Sequence, residues 1–194
     1  MGDRRDDAPR FHPQTADEWW AWLAVHHGVE PPGVWVVQWR RAGGQVPVDY
    51  ENLVDAALAH GWIDGTNRGI DDDRMEMWFT RRRQGSRWSR LSKQRVARVE
   101  ASGRMTAAGR AVIERAKADG SWTLLDGPEA GIVPDDLAEA LAAHPGAREL
   151  FGGLSYSRRV MVLAWIAEAK RPETRAARVA KAAEHAARGE TPVG

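Results

Sequence analysis

Gly61–Arg95 reads GWIDGTNRGIDDDRMEMWFTRRRQGSRWSRLSKQR, and the alternation inside it decides the fold. Met75, Met77 and Phe79 fall on one side of an extended chain, with Glu76, Trp78 and Thr80 on the other. That period of two suits a strand with one buried face. Trp62 to Arg68 supplies a second strand, and Asp71, Asp72 and Asp73 form an acidic loop between the two. Beyond the hairpin, Gln84 to Trp88 is a loop. Ser89 is placed to cap a helix from Arg90 to Ala101, with Leu91, Val96 and Val99 pointing inward and Gly103 ending it.

Working outward toward the N-terminus, Gly61 closes a helix from Tyr50 to His60 that Asp49 caps and whose Leu53, Val54, Ala57 and Leu58 form an inward stripe. Val46 to Val48 is a short extended piece that follows a turn at Gly43 and Gly44, with the spacing of a hairpin. Val34 to Arg41 alternates as a strand, preceded by a turn at Pro31, Pro32 and Gly33. Thr15 and Glu18 make a capping box for a helix that carries Trp19 and Leu23 on one face. Met1 to Pro13 is charged and aperiodic, and reads as a frayed arm.

Toward the C-terminus every segment is helical. Helices are predicted from Thr106 to Asp119, from Pro134 to Ala143, at Ala147 to Phe151, from Ser155 to Lys170, and from Pro172 to Arg188. Trp122 to Val133 is a loop broken by Gly127, Pro128 and Gly131. The expected fold class is α+β: a small antiparallel sheet with helices in the N-terminal half and a helical C-terminal half. The expected divisions are an arm at 1–12, a mixed part at 13–102 and a helical part at 103–190 packed on it.

Composition narrows the functional classes. The 194 residues are 43% hydrophobic and 28% charged with a formal charge of +1, an ordinary globular balance, so any charge argument is local. With no cysteine in the sequence, disulfide scaffolds, thiol nucleophiles and iron–sulfur clusters are excluded. The ten tryptophans read mainly as core filling. There is no signal-peptide core and no apolar run long enough to span a bilayer, so the expectation is a soluble cytoplasmic protein without membrane insertion.

The sequence carries no glycine-rich nucleotide loop, P-loop, HExxH or nucleophile elbow. The six histidines take no metal-ligand spacing, so neither a metal nor a cofactor is expected. Two features remain. Asp64, between Ile63 and Gly65, is either a general base or a structural acceptor tied to an arginine or to backbone N–H groups. From Arg81 to Arg98 there are eight basic residues and no acid. They surround a helix start whose free N–H groups and dipole suit an anion, unless they pair with Asp64 or with the acids around 71–76.

The predicted ligand-binding set is therefore Trp62, Asp64, Arg82, Arg83, Ser86, Trp88 and Ser89, with no catalytic residue assigned. Its ligand is a small phosphorylated or carboxylated molecule, or an acidic peptide. One alternative is a hydrolase- or isomerase-type enzyme with Asp64 as base and the arginines as a clamp on an anionic substrate. Another is single-stranded nucleic acid, with Trp78 and Trp88 stacking bases, which the neutral overall charge disfavours.

Six segments carry a resemblance to a known family. They are EWWAWL (Glu18 to Leu23), GVWVVQWR (Gly33 to Arg40), ALAHGWIDG (Ala57 to Gly65), FTRRRQGSRWS (Phe79 to Ser89), GRMTAAGRAVIERAKADGSW (Gly103 to Trp122) and AKRPETRAARVAKAAEHAARG (Ala169 to Gly189). In this order they resemble the YdeI or OmpD-associated family, also labelled bacteriocin-protection proteins. The resemblance implies a cytoplasmic bacterial protein named for genetic association with a porin, antimicrobial-peptide resistance or bacteriocin tolerance. It attaches no reaction. The chain departs from that pattern at Arg81, where the family usually has proline, at Ser92, where it has asparagine, and at His60, where it is more often apolar.

Overall fold

A computed structural model describes residues 7–29, 33–40 and 45–193. They form two compact units: one takes the described residues up to Ser86 together with Leu91–Ala118, the other takes Arg87–Arg90 and the described residues from Asp119 onward. The turns predicted at Pro31 and Pro32 and at Gly43 and Gly44 lie outside the described residues.

The first unit contains β1 (Arg10–Phe11), α1 (Ala16–His26), β2 (Gly33–Trp39), α2 (Tyr50–Ala59), β3 (Trp62–Gly69), β4 (Arg74–Arg81), all but the first residue of α3 (Arg90–Ala101), and α4 (Ala107–Ala118). The sheet runs β1-β2-β4-β3. β4 pairs antiparallel with both β2 and β3, as the alternation predicts, and a bulge interrupts β3 between Asp64 and Asn67. β1 pairs parallel to β2, so the sheet is mixed. Two residues expected in the arm are thus built into the sheet. Arg10 reaches Glu76 at 2.9 Å and Phe11 stacks on Trp19 and Trp22.

One sheet face carries the hydrophobic core. Val34, Val36 and Phe79 pack with Trp19 and Leu23 of α1 and with Leu53, Val54 and Ala57 of α2. The other face holds Trp35, 2% exposed, with the Arg68 guanidinium 4.2 Å above its ring, and Glu76, which takes Arg10 and Arg68 together. Burial on both faces explains why β2 reads as a nearly continuous apolar run. The capping predictions hold where they depend on neighbouring residues. Thr15 accepts from Glu18 N–H at 3.2 Å, and Asp49 accepts from Glu51 N–H at 3.0 Å. Gly61, at φ +78°, ends the α2 turn in the left-handed conformation that favours glycine.

Three local expectations fail, the first being a four-residue helix at Asp126–Glu129 inside the loop predicted from Trp122 to Val133. Val46 to Val48 joins no strand, because the side chain of Gln38 takes the Val48 N–H at 3.0 Å and holds the segment as a strap. In α3 it is Arg95, with Val96 and Val99, that is buried, whereas Leu91 is 50% exposed.

The second unit holds α5 (Asp126–Glu129), α6 (Asp135–Ala142), α7 (Ala147–Gly153), α8 (Tyr156–Ala167) and α9 (Pro172–Ala186). Its core joins Leu137 and Leu141 of α6, Phe151 of α7, Leu163 and Ile166 of α8 and Val179 and Ala183 of α9. Pro172 sits at the start of α9, where a missing N–H costs nothing. The architecture is α+β, with all strands in the N-terminal half. Among the described residues no helix is long and apolar enough to cross a membrane.

Candidate functional site

The predicted residues divide between the two units. Trp62, Asp64, Arg82, Arg83 and Ser86 belong to the first, Trp88 and Ser89 to the second. In the first unit β3 begins where β4 ends, so that Trp62 lies opposite Arg81 and Arg82 N–H donates to the Gly61 carbonyl at 2.9 Å. Trp62 is a core residue, 2% exposed, with its indole N–H on the carbonyl of His27 at 3.1 Å. Asp64, opposite Phe79 and half-buried, accepts the Tyr50 hydroxyl at 2.7 Å.

Tyr50 is the first residue of α2, held there by the Asp49 cap. Burial, and then Asp64, push its pKa above the usual phenol value. Arg82 is 7% exposed, and burial lowers its pKa to about 10 against the attraction of Asp64. Arg83 is exposed, and its guanidinium has no ion-pair partner among the described residues. Ser86 closes a turn onto the Arg83 carbonyl at 3.2 Å.

Beside this corner lies an ionic cluster that the sequence reading missed. Arg95 grips Glu51 with two bonds of 2.5 and 3.0 Å, and Arg98 joins Glu51 to Asp55. The hydrogen bonds of Arg95 and then Arg98 pull Glu51 down to about 2. A signal was available: acids at 51 and 55 share one face of α2, and arginines at 95 and 98 share one face of α3.

In the second unit the basic run meets acids of its own. Arg87 pairs with Glu168 at 3.1 Å. The backbone N–H of Arg90, first residue of α3, donates to the Glu129 carboxylate at 2.8 Å, and the Arg90 side chain reaches the Glu129 carbonyl at 2.9 Å. A carboxylate of the chain itself therefore occupies the helix start that sequence reasoning offered to a ligand. Trp88 is 2% exposed and packs on Trp122 at 4.9 Å, so it presents no face on which a base could stack, contrary to the nucleic-acid alternative.

A cleft of about 800 Å³ in the first unit is lined by Met75 and Met77 of β4, Leu53 and Tyr50 of α2, and the 45–49 strap that Gln38 holds. Tyr50 stands in its wall and hands its hydroxyl to Asp64, so cleft and corner share one side chain. His60 takes no part in this corner. It is 5% exposed, donates its Nδ1 proton to the Ala56 carbonyl at 2.8 Å, and faces Trp20 and His27. Among the described residues no group of three or more histidines, aspartates or glutamates is placed to hold a metal ion.

Two family models match this chain. Residues 11–112, just over half of it, match a model described as a domain of unknown function (DUF8412). Residues 130–189 match one described as bacteriocin-protection, YdeI or OmpD-associated. No curated protein and no solved structure matches it.

Proposed function

We propose that this chain works by binding a small anion. The chain belongs to the DUF8412 domain family, whose model matches residues 11–112, and its residues 130–189 match the bacteriocin-protection, YdeI or OmpD-associated model. The binding place is the corner of the first unit where Trp62, Asp64, Arg82, Arg83 and Ser86 lie. The ligand is a phosphorylated or carboxylated small molecule, or the acidic side chains of a peptide.

The observation that carries this reading is Arg83, an exposed guanidinium with no ion-pair partner among the described residues. It follows directly on Arg82, which is 7% exposed and whose pKa burial lowers to about 10 against the attraction of Asp64. Asp64 shares its charge with the Tyr50 hydroxyl, and Arg83 extends the positive surface into solvent. Tyr50 already occupies one of the two oxygens of Asp64, which favours a structural, charge-positioning role for this carboxylate over that of a general base.

The test is thermal shift and calorimetry of the full chain with inorganic phosphate and with succinate, at low and high salt. Wild type is expected to show saturable stabilisation that weakens with salt and falls several-fold in Arg83→Gln, an exposed position whose substitution spares the fold. Glu129→Ala is the control for the helix start. If anions bind more tightly once Glu129 is removed and Arg83→Gln has no effect, the site is the start of α3 and the corner is not the binding place. If no anion stabilises the wild type, the binding reading fails.

A further inference from the structure

The geometry points to a second binding site, in the second unit, for a small monocarboxylate with an apolar tail. A cleft of about 330 Å³ opens there between α6, α7, α8 and the chain leading into α6. Its floor is Leu141 and Phe151, core residues 2% and 3% exposed, and Val133 and Ala138 form its walls. Arg148 of α7 and Arg159 of α8 complete the lining, which includes no acidic residue.

Neither of these arginines holds a carboxylate among the described residues, unlike some others of the unit. Arg87, Arg175 and Arg188 of the same unit each meet a carboxylate, from Glu168, Asp136 and Glu190 respectively. Arg159 donates only to the carbonyl oxygen of Gly152, at 2.5 Å. The Arg148 guanidinium has no hydrogen-bond or ion-pair partner among the described residues. Val133, 37% exposed, leaves apolar surface at the cleft.

The ligand class follows from pairing these features. Inorganic phosphate would engage the arginines and leave the apolar floor uncovered, and a neutral hydrocarbon would cover the floor and leave two cations without an anion. A carboxylate on an apolar tail satisfies both, since the arginine fork matches the planar carboxylate. The cavity is at the small end of the ligand-site range, which limits the tail to about six to ten carbons. The occupant is therefore a free medium-chain monocarboxylate. This site stands apart from the anion corner of the first unit and does not depend on it.

Octanoate titrated calorimetrically into the full chain tests the inference. Single-site binding is expected, reduced by about tenfold or more in the Arg148→Gln/Arg159→Gln double variant. Octanol, the same tail without the charge, is expected to bind at least about tenfold more weakly, and acetate, the charge without the tail, not measurably. Arg148→Gln alone, at an exposed position, provides the arm in which folding is not in question, and Arg83→Gln should leave octanoate affinity unchanged. The site is overturned if octanoate gives no saturable binding to wild type, if both arginine variants bind it as wild type does, or if octanol binds equally well.

Discussion

Gly109 in α4 is the position where local propensity and tertiary packing disagree in sign. A Cβ placed there would stand 2.4 Å from the carbonyl oxygen of Ala59, 2.9 Å from its carbon and 2.7 Å from the sulfur of Met105. That carbonyl is already the anchor of α4: it accepts the Thr106 hydroxyl at 2.6 Å and the Thr106 N–H at 3.2 Å. In an isolated helix Gly109→Ala stabilises by about 0.8–1 kcal/mol. Here the start of α4 must back away from the end of α2 by roughly 1 Å to regain an ordinary contact. Overpacking of this kind costs about 1–3 kcal/mol. Stretching the two bonds to Ala59 adds about 0.5–1.5 kcal/mol for each one lost. With both bonds lost, the expected net effect is a destabilisation of about 1–5 kcal/mol, after the helix-propensity gain is subtracted. Urea denaturation gives the number directly, read as a fall in midpoint at unchanged slope. Gly153→Ala, where an added Cβ meets nothing within 4 Å, is the control and should stay within about 0.5 kcal/mol of wild type. A Gly109→Ala protein as stable as wild type, or more so, would refute the placement of α4 against α2.

Three further outcomes follow from the ionisable groups. His60 is buried and faces His27 and Arg104, so burial first and then these neighbours depress its folded pKa below the ordinary imidazole value. Stability is therefore intact above about pH 6.5 and falls below it as the unfolded chain alone takes up the proton. His60→Leu should flatten that limb of a stability-versus-pH curve, and an unchanged limb would contradict the assignment. Glu51, at about 2, contributes stability that is present above about pH 4.5 and lost as pH falls toward 2. Its side chain is 43% exposed, so screening reduces the effect to about 1 kcal/mol, and Glu51→Gln should remove it from the acid titration. Glu76, 3% exposed between Arg10 and Arg68, is the buried member of a charge triad whose arginines are 47% and 39% exposed. Glu76→Ala should cost about 2–4 kcal/mol in chemical denaturation, and a loss under about 1 kcal/mol would show that the arginines re-solvate freely.

What the sequence by itself determined was local. The period of two in Met75 to Thr80 specified β4 as a strand but not its burial, since Glu76 on the face opposite Phe79 is 2% exposed while Met75 and Met77 are only partly buried. The caps at Thr15, Asp49 and Ser155 placed three helix starts, because each depends on residues within one turn of the chain. A family was likewise legible without coordinates: the bacteriocin-protection, YdeI or OmpD-associated model matches residues 130–189, whereas residues 11–112, which hold four of the six familiar segments, match the DUF8412 model. The partners of the charged residues were decided only by the tertiary structure. Asp64 went to Tyr50 and not to an arginine, Glu76 took arginines from two other strands, and the helix start at Arg90 went to Glu129, thirty-nine residues away. The physical reason is range. Backbone conformation is set by neighbours a few residues apart, whereas a charge pairs with whichever opposite charge folding brings within about 4 Å. The basic run looked like one anion site because its residues are contiguous in sequence. Folding distributed them between two units, giving Arg87 and Arg90 glutamates of the second and leaving Arg82 and Arg83 in the first.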